Sequence, residues 1–374
     1  MDRAGLMRAV KRVVVKVGTS VLTDASGAVD RGFIGNSLGE EVCGLRRKGY
    51  EVILVSSGAI GSGMGLLGMK KRPKTLAALQ ASAAVGQGVL IGLYEEVFRR
   101  HGCHAAQILL TRDDLADRRR YLNARATLRE VLRLGAIPVI NENDTVAVEE
   151  IKFGDNDLLS ALVTNVVHAD LLILLSDVEG LYRDPAKRDV IPLVERYSKG
   201  VLEFVEEGRK SRLGVGGMEG KLKAVEMTVA AGEPVVIAGG RVPRVISRIL
   251  AGENLGTLFL PAPRTMKSRE RWLRFAPKAR GRVFVDAGAR RALLEGGRSL
   301  LPIGVRAVEG NFRRGDIVEV ALEGGEVFAR GLCNYSAEEL LQARGVKTSD
   351  LAARLGYTPP DEAIHRDNLL KLET

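Results

Sequence analysis

The chain has 374 residues, of which 45% are hydrophobic and 27% are charged, and its formal net charge is +10. The length favours two domains, and this composition is ordinary for a globular protein. Three scattered cysteines without a C-x-x-C pair argue against a disulfide framework or a zinc site and predict reduced thiols. The sequence shows neither a secretory signal nor an apolar run of ~18 residues, so we expect a cytoplasmic protein without a membrane partner.

Short apolar runs alternate with longer segments of helical periodicity through the first two thirds of the chain. The predicted strands are 12–17, 51–56, 105–110, 136–141, 170–176 and 233–239. The predicted helices include 31–48, 75–100, 121–134, 156–168 and 217–231. This alternation is typical of an α/β fold, in which helices cover both faces of an open, mostly parallel sheet.

Two prolines after the last of these strands mark a predicted domain boundary. We expect a catalytic domain over 1–262, a small mostly-β domain over 278–360 and a C-terminal tail over 361–374. The segment 264–314 holds 14 Lys and Arg residues against 4 Asp and Glu, an excess equal to the whole net charge. Such a segment indicates either an anionic partner or a solvated basic face.

Polar residues follow four of the predicted strands at the point where each ends. They are Lys16 to Ser20, Ser57, Asn141 to Asp144, and Ser176 with Asp177. Ligands of such folds bind beyond the carboxyl ends of the strands, so these residues predict one common site. The run from Gly154 to Asp157 adds carboxylates and amides, although Asp155 or Asn156 could also cap the helix that follows.

Lysine is unusual at the end of the apolar run VVVK, which should lie in the centre of the sheet. A buried ammonium group there is costly without an anionic partner. We therefore expect Lys16 to face an anion held by Gly18, Thr19 and Ser20, although a lysine at a sheet edge could also extend to solvent.

Two glycine-rich segments could contact a phosphate group. The G-x-G-x-x-G spacing that starts at Gly63 follows the second strand, and no acidic residue occurs between it and Glu95. This disfavours a dinucleotide-binding site and favours a mobile loop over a substrate. The segment 214–221, GVGGMEGK, opens a predicted helix, where backbone N–H groups and Lys221 could bind phosphate.

Five motifs in order, VVVKVGTSVLT, SSGAIGSG, VINENDTVAVEEIKFGDND, LLSDVEGLY and GVGGMEGK, resemble the amino-acid kinase family and in particular its glutamate-phosphorylating members. Residues from about 280 to 357 resemble a PUA domain. The resemblance implies ATP and Mg²⁺ as cofactors and phosphorylation of the γ-carboxylate of L-glutamate, the first step of proline biosynthesis, with proline as inhibitor. It further implies a homo-oligomer (dimer or tetramer), a glutamyl-phosphate reductase as partner, and RNA as a ligand of the PUA-like domain.

The resemblance also implies roles for individual residues. Lys16 and Lys221 would act on the transferring phosphate, and Asp157 would hold both lysines. Residues that bind glutamate would be Ser57, Asp144 and Asn156, with Asn141 and Asp155 close by. Residues that contact the nucleotide would be Lys16, Ser176, Asp177, Val215, Gly216, Gly217, Met218, Glu219, Gly220 and Lys221. No protein ligand of the metal can be named.

The chain departs from the family pattern in the nucleotide segment. Val215 stands where the family has threonine, and Glu219 with Gly220 replaces a pair of small hydroxyl residues. These changes remove hydroxyl donors and add a negative charge near the nucleotide. The basic, glycine-rich segment from Gly61 to Thr75 is expected to close over glutamate and to sense proline.

Two alternative functions remain open. A kinase that acts on aspartate, N-acetylglutamate or UMP is disfavoured because NEND and GDND occur together and because those relatives lack a C-terminal module. An RNA-binding protein is favoured by the basic segment, but Phe275, Phe284 and Phe312 are expected in the core rather than on a stacking platform. Because a carboxylate nucleophile is already ionised at neutral pH, the absence of histidine from the strand ends fits the glutamate kinase.

Overall fold

The computed structural model describes residues 3–24, 29–147, 156–184, 188–197, 217–262, 270, 273 and 279–372. The chain divides into two compact units. The first comprises Met1–Arg112 and Leu122–Thr265, and the second comprises Asp113–Tyr121 and Met266–Thr374.

The first unit is built on an eight-stranded sheet. Its strands are β1 Arg12–Val17, β2 Glu51–Ser56, β3 Ala105–Leu110, β4 Ile137–Glu142, β5 Leu171–Ser176, β8 Leu193–Val194, β9 Val235–Gly239 and β10 Thr257–Phe259, while β6 Tyr182–Asp184 and β7 Asp189–Val190 form a separate ribbon. The order across the sheet is β3-β4-β2-β1-β5-β9-β10-β8. All pairs from β3 to β9 are parallel, and only β10 runs antiparallel to β9. The predicted open, mostly parallel sheet is confirmed.

Helices alternate with these strands along the chain, and the mostly helical segment Asp113–Tyr121 among them is grouped with the second unit. They are α1 Arg3–Arg8, α2 Thr19–Leu22, α3 Arg31–Phe33, α4 Glu40–Arg47, α5 Ala59–Leu66, α6 Leu76–Arg100, α7 Arg112–Ala116, α8 Arg118–Arg133, α9 Asn156–Val167, α10 Met218–Ala231 and α11 Val245–Leu250, with a π-helical segment Ile34–Gly39 between α3 and α4. Side chains of β1 alternate between the two faces, and Val13, Val14 and Val15 are all fully buried. Both faces of the central strand are therefore covered, as the apolar run predicts.

The segment from Gly61 to Leu66 is helical, which corrects the prediction of a mobile loop there. A Cβ on Gly63 would lie 1.8 Å from the carbonyl oxygen of Ser82, and a Cβ on Gly86 would lie 1.8 Å from that of Ala59. The glycines thus let the backbones of α5 and α6 approach closely. This packing outweighs the low helix propensity of glycine, which was the basis for predicting a loop.

Helix α6 is long and apolar enough, by length and composition alone, to cross a membrane, and no other helix in the described ranges is. The sequence reading did not anticipate such a segment. Leu90, Tyr94 and Phe98 of α6 are buried in the hydrophobic core of the first unit, together with residues of β1 and β2. The helix therefore packs in this unit as a core helix does.

The second unit contains a five-stranded sheet of order β12-β11-β13-β14-β15. Its elements are β11 Gly281–Val285, α12 Ala287–Leu294, β12 Val305–Gly310, β13 Ile317–Leu322, β14 Val327–Leu332, α13 Ala337–Ala343, α14 Leu351–Leu355 and β15 Leu369–Lys371, with 3₁₀ turns at Pro302–Gly304, Thr348–Asp350 and Arg366–Asn368. A small, mostly-β second unit is thus confirmed. Phe312 is buried in its core as expected, and Phe284 is partly buried, while Phe275 lies outside the described residues.

The residues beyond 360 take part in the structure of the second unit. Strand β15 pairs antiparallel with β14, and Ala363 and Ile364 are fully buried. Residues 361–372, part of the C-terminal tail predicted over 361–374, are thus grouped with this unit. Alternating leucines and charges in so short a segment gave too weak a signal for an edge strand.

Candidate active site

Two lysines from distant parts of the chain meet at one buried carboxylate. Lys16 Nζ lies 2.7 Å from Asp157 Oδ1, and Lys221 Nζ lies 3.3 Å from Asp157 Oδ2. The three residues are 5%, 7% and 2% exposed, in the order Lys16, Lys221, Asp157. With two ammonium groups and one carboxylate, they carry a net charge of +1 in a region that is largely shielded from water.

The positions of these three groups follow from the fold. Lys16 is on β1, between β2 and β5, and points to the opposite face from Val15 and Val17. Asp157 is in the first turn of α9, which packs against β1, and Lys221 is in the first turn of α10, which packs against α9. Two helix starts and a strand end therefore converge at the carboxyl edge of the sheet.

The carboxyl group of Asp157 remains ionised although it is fully buried. Burial alone would raise its pKa, but the charges of Lys16 and Lys221, and the hydrogen bonds that both donate, hold the pKa of Asp157 below its ordinary value. The ionised carboxylate in turn fixes the positions of the two ammonium groups.

Beside this triad lies a set of polar side chains centred on Asn156. Its Nδ2 group lies 3.0 Å from Ser57 Oγ, 3.0 Å from Asn141 Oδ1 and 3.1 Å from the carbonyl oxygen of Ser56. Its Oδ1 atom is buried and has no hydrogen-bond partner among the described residues. Gly58 follows Ser57 with φ of +101°, a left-handed conformation that favours glycine, so the chain can turn directly into α5.

Asp144 lies in the loop after β4 and is half-buried. Burial raises its pKa to about 6, against the opposing influence of the Arg72 charge. A carboxylate whose ionised form is poorly solvated gains much from a cationic ligand, such as an amino acid ammonium group.

The predicted nucleotide residues that the structure describes lie around the start of α10 and the end of β5. Ser176 Oγ donates to Asp177 Oδ1 at 2.9 Å, and Gly217 is exposed, with open space where a Cβ would be. Glu219 is 70% exposed on its side chain and pairs with Lys223 at 2.8 Å, so its charge is directed along the helix surface. Asp155, Val215 and Gly216 lie outside the described residues, as do any contacts that they make.

The sequence analysis did not predict the residues that contact the segments carrying Ser57 and Asp144. Ser56 Oγ lies 2.9 Å from the hydroxyl of Tyr94, and two glutamines of α6 donate to the backbone carbonyls of Glu142 and Ala147, on either side of Asp144. Isolated polar residues at intervals of seven in an otherwise apolar helix were the signal that could have revealed them. Among the described residues, no group of three His, Cys, Asp or Glu side chains is arranged to hold a metal ion.

Comparison with known proteins identifies both units. The model of the amino acid kinase family matches residues 11–239, and the PUA domain model matches residues 281–355. The chain is 49% identical to a glutamate 5-kinase of Pelobacter propionicus, over 99% of this chain and 100% of that protein. It is also 49% identical to a glutamate 5-kinase of Caldanaerobacter subterraneus, over 97% and 98% of the two chains, and 48% identical to one of Syntrophotalea carbinolica, over 98% and 99%. Because the similarity covers nearly the whole length, the chain belongs to the amino acid kinase family and, within it, to the glutamate 5-kinases that carry a PUA domain.

Proposed function

We propose that the protein transfers the γ-phosphoryl group of ATP to the γ-carboxylate of L-glutamate, forming L-glutamyl 5-phosphate in the first step of proline biosynthesis. The observation that carries this proposal is the convergence of Lys16 and Lys221 on Asp157. Their net positive charge is buried and next to two helix starts, so an anion such as a nucleotide phosphate is the ligand that would neutralise it.

The reaction needs positioning and charge neutralisation rather than a general base. The γ-carboxylate of glutamate has an ordinary pKa of ~4.3 and attacks as the anion. Lys16 and Lys221 would stabilise the charge on the phosphoryl oxygens in the transition state, and Asp157 would keep both ammonium groups in place. Mg²⁺ bound to phosphate oxygens and water would supply further neutralisation.

Glutamate would bind beside this triad. Asn156 Oδ1, a buried acceptor without a partner among the described residues, and the carboxylate of Asp144 would receive the substrate ammonium group. The hydroxyl of Ser57 and the amide of Asn141 would bind a substrate carboxylate. Asp155, adjacent to Asn156 in the sequence, completes the predicted set of glutamate residues.

A substrate-panel assay tests this function. ADP release would be measured with the full-length protein, ATP and Mg²⁺, against glutamate, aspartate, N-acetylglutamate and UMP. We expect glutamate to give the highest kcat/KM by at least about tenfold. Preference for any of the other three acceptors would reject the proposal.

We further propose that proline inhibits the enzyme and that the segment between α5 and α6 takes part. Residues 67–75 carry Lys70, Lys71, Arg72 and Lys74, and the charge of Arg72 reaches Asp144. Replacing residues 67–75 by a neutral Gly/Ser segment should change the proline concentration needed for half-inhibition more than it changes kcat. Unaltered inhibition would count against a role of this segment.

The remaining partners are proposed on the family relationship and the PUA match. We propose a cytoplasmic homo-oligomer that passes its labile acyl phosphate to a reductase, and RNA binding by the second unit. Sedimentation would give the oligomeric state, and a tRNA titration at several salt concentrations would test RNA binding. Absence of binding at low salt would exclude a nucleic-acid role for the basic segment 264–314.

A further inference from the structure

Three polar residues form a stripe along one face of the apolar helix α6. Gln80, Gln87 and Tyr94 are spaced by seven residues, which is close to two helical turns, so they lie one above another. Each makes a hydrogen bond outside its own helix. Gln80 Nε2 donates to the carbonyl of Ala147 at 3.2 Å, Gln87 Nε2 donates to that of Glu142 at 3.4 Å, and the Tyr94 hydroxyl lies 2.9 Å from Ser56 Oγ.

The Tyr94 contact forms a directed chain of hydrogen bonds toward the candidate glutamate residues. Ser56 Oγ has one hydrogen and donates it to the carbonyl of Ser57 at 3.1 Å, so it accepts from Tyr94. The backbone of the same residue accepts from Asn156, since the carbonyl oxygen of Ser56 lies 3.1 Å from Asn156 Nδ2. Tyr94 is fully buried, and burial raises the pKa of its phenol to about 12, so it is a neutral donor at physiological pH.

The two glutamines hold the other side of the same site. The carbonyl groups of Glu142 and Ala147 bracket the short segment that carries Asp144. Ala147 also packs with Leu79 of α6 in a small hydrophobic cluster. Gln87, Ser56 and Asn141 line one cavity of about 10 Å³, so Gln87 lies next to residues of the site.

We propose that the stripe formed by Gln80, Gln87 and Tyr94 positions the glutamate-binding residues, with Tyr94 fixing Ser57 and Asn156 and the two glutamines fixing Asp144. These three are positioning residues, since they act through groups that would touch the substrate. The inference rests on the proposed function, because it assigns the site in front of the stripe to glutamate. The nucleotide side of the active site, around Ser176 and α10, receives none of these three hydrogen bonds.

A purely structural role would make a different prediction from a positioning role. Loss of a buried hydrogen bond that only stabilises the fold lowers Tm and leaves both Michaelis constants unchanged. Loss of a bond that orients the glutamate residues raises the KM for glutamate selectively. The separation of KM for glutamate from KM for ATP is therefore the informative measurement.

The test is Tyr94→Phe in the full-length enzyme, compared with Tyr335→Phe. Tyr335 is also fully buried and donates its hydroxyl to the Pro360 carbonyl, but it belongs to the second unit. We expect Tyr94→Phe to raise the KM for glutamate about threefold to tenfold, the change for one lost hydrogen bond, without altering the KM for ATP. Tyr335→Phe should leave both constants unchanged.

Gln87→Met provides a second variant that keeps the side-chain volume and removes the donor, and we expect the same selective rise. The double variant Ser56→Ala/Tyr94→Phe should show a smaller effect than the product of the two single changes, because both break one bond. Unchanged KM for glutamate in folded Tyr94→Phe and Gln87→Met, or equal changes in both Michaelis constants, would overturn the positioning role. A wild-type enzyme that does not phosphorylate glutamate would instead reject the proposed function and the inference together.

Discussion

Substitution of Asp157 should destabilise the protein more than substitution of Lys16 or Lys221, because the one carboxylate pairs with both lysines. Removing either lysine leaves Asp157 paired with the other, so no buried charge becomes isolated. Removing the carboxylate of Asp157 takes this anionic partner away from two buried ammonium groups at once. Breaking a buried ion pair from that side typically costs about 3–5 kcal/mol.

We therefore expect Lys16→Ala and Lys221→Ala to fold and to lower kcat by on the order of 10²-fold or more, the loss of one preorganised donor. Steady-state kinetics with saturating glutamate and ATP gives kcat, and thermal unfolding reports the fold. Asp157→Asn is the comparison, and it should lower Tm much more than either lysine variant. An active Lys16→Ala enzyme would reject the proposed role of that lysine.

Asp144 predicts how substrate binding depends on pH. Its pKa of about 6 means that the carboxylate becomes protonated, and loses its attraction for an ammonium group, as the pH falls below that value. We expect kcat/KM for glutamate to fall by about tenfold per pH unit below about 6, and we expect Asp144→Asn to be weakly active at every pH, without this acidic limb. A limb that persists in the variant would assign the titration to another group.

The same group predicts the pH dependence of stability. The pKa of Asp144 is higher in the folded chain than the ordinary value of 3.8, so the folded state binds more protons between pH 3.8 and about 6. The contribution of Asp144 to the free energy of unfolding is therefore fully present below pH 3.8 and is lost as the pH rises through about 6. Asp144→Asn should accordingly raise Tm at pH 7.5 and leave it nearly unchanged at pH 3.5. Differential scanning calorimetry of both proteins at the two pH values measures this difference.

At the scale of elements, α5 and α6 depend on a contact between backbones. Gly86 faces Ala59, where a Cβ would lie 1.8 Å from a carbonyl oxygen, whereas Gly88 on the same helix is exposed with open space around it. We expect Gly86→Ala to destabilise the protein by about 1–3 kcal/mol and to raise the KM for glutamate, because α6 would be pushed away from α5, the helix that follows Ser57. Gly88→Ala, the matched control, should be neutral or stabilise by up to about 1 kcal/mol. Equal effects of the two substitutions on chemical denaturation would contradict the close packing.

The same two helices mark where the sequence was informative and where it was not. The strand that carries Lys16 and the strand that precedes Ser57 were predicted at their observed bounds, since fully buried parallel strands appear as continuous apolar runs. The family resemblance, rather than periodicity or propensity, implied that Lys16 and Lys221 would meet at Asp157. Helix α5 and the Tyr94–Ser56 contact were not predicted, because both depend on packing between residues distant in sequence, which neither helix propensity nor periodicity encodes.

At the scale of the whole molecule, each unit has a hydrophobic core of its own. The core of the first unit draws on residues from Met7 to Leu258, and that of the second on residues from Val283 to Ile364. Every described candidate residue for glutamate or nucleotide belongs to the first unit. The candidate site residues and the residues of the second core thus come from different parts of the sequence. One short segment, Asp113–Tyr121, is grouped with the second unit although it interrupts the first in sequence.

We expect a fragment of residues 279–374 to fold without the rest of the chain. It contains all residues of the second core and all five strands of its sheet, and its length is within the range of independently folding domains. Far-UV circular dichroism and calorimetry should show a β-rich fragment with one cooperative thermal transition. Leu340→Asp places a charge at a fully buried position of this core and should abolish the transition, which provides the control. A fragment that melts without cooperativity would contradict independent folding and would show that the second unit requires residues outside 279–374, such as Asp113–Tyr121.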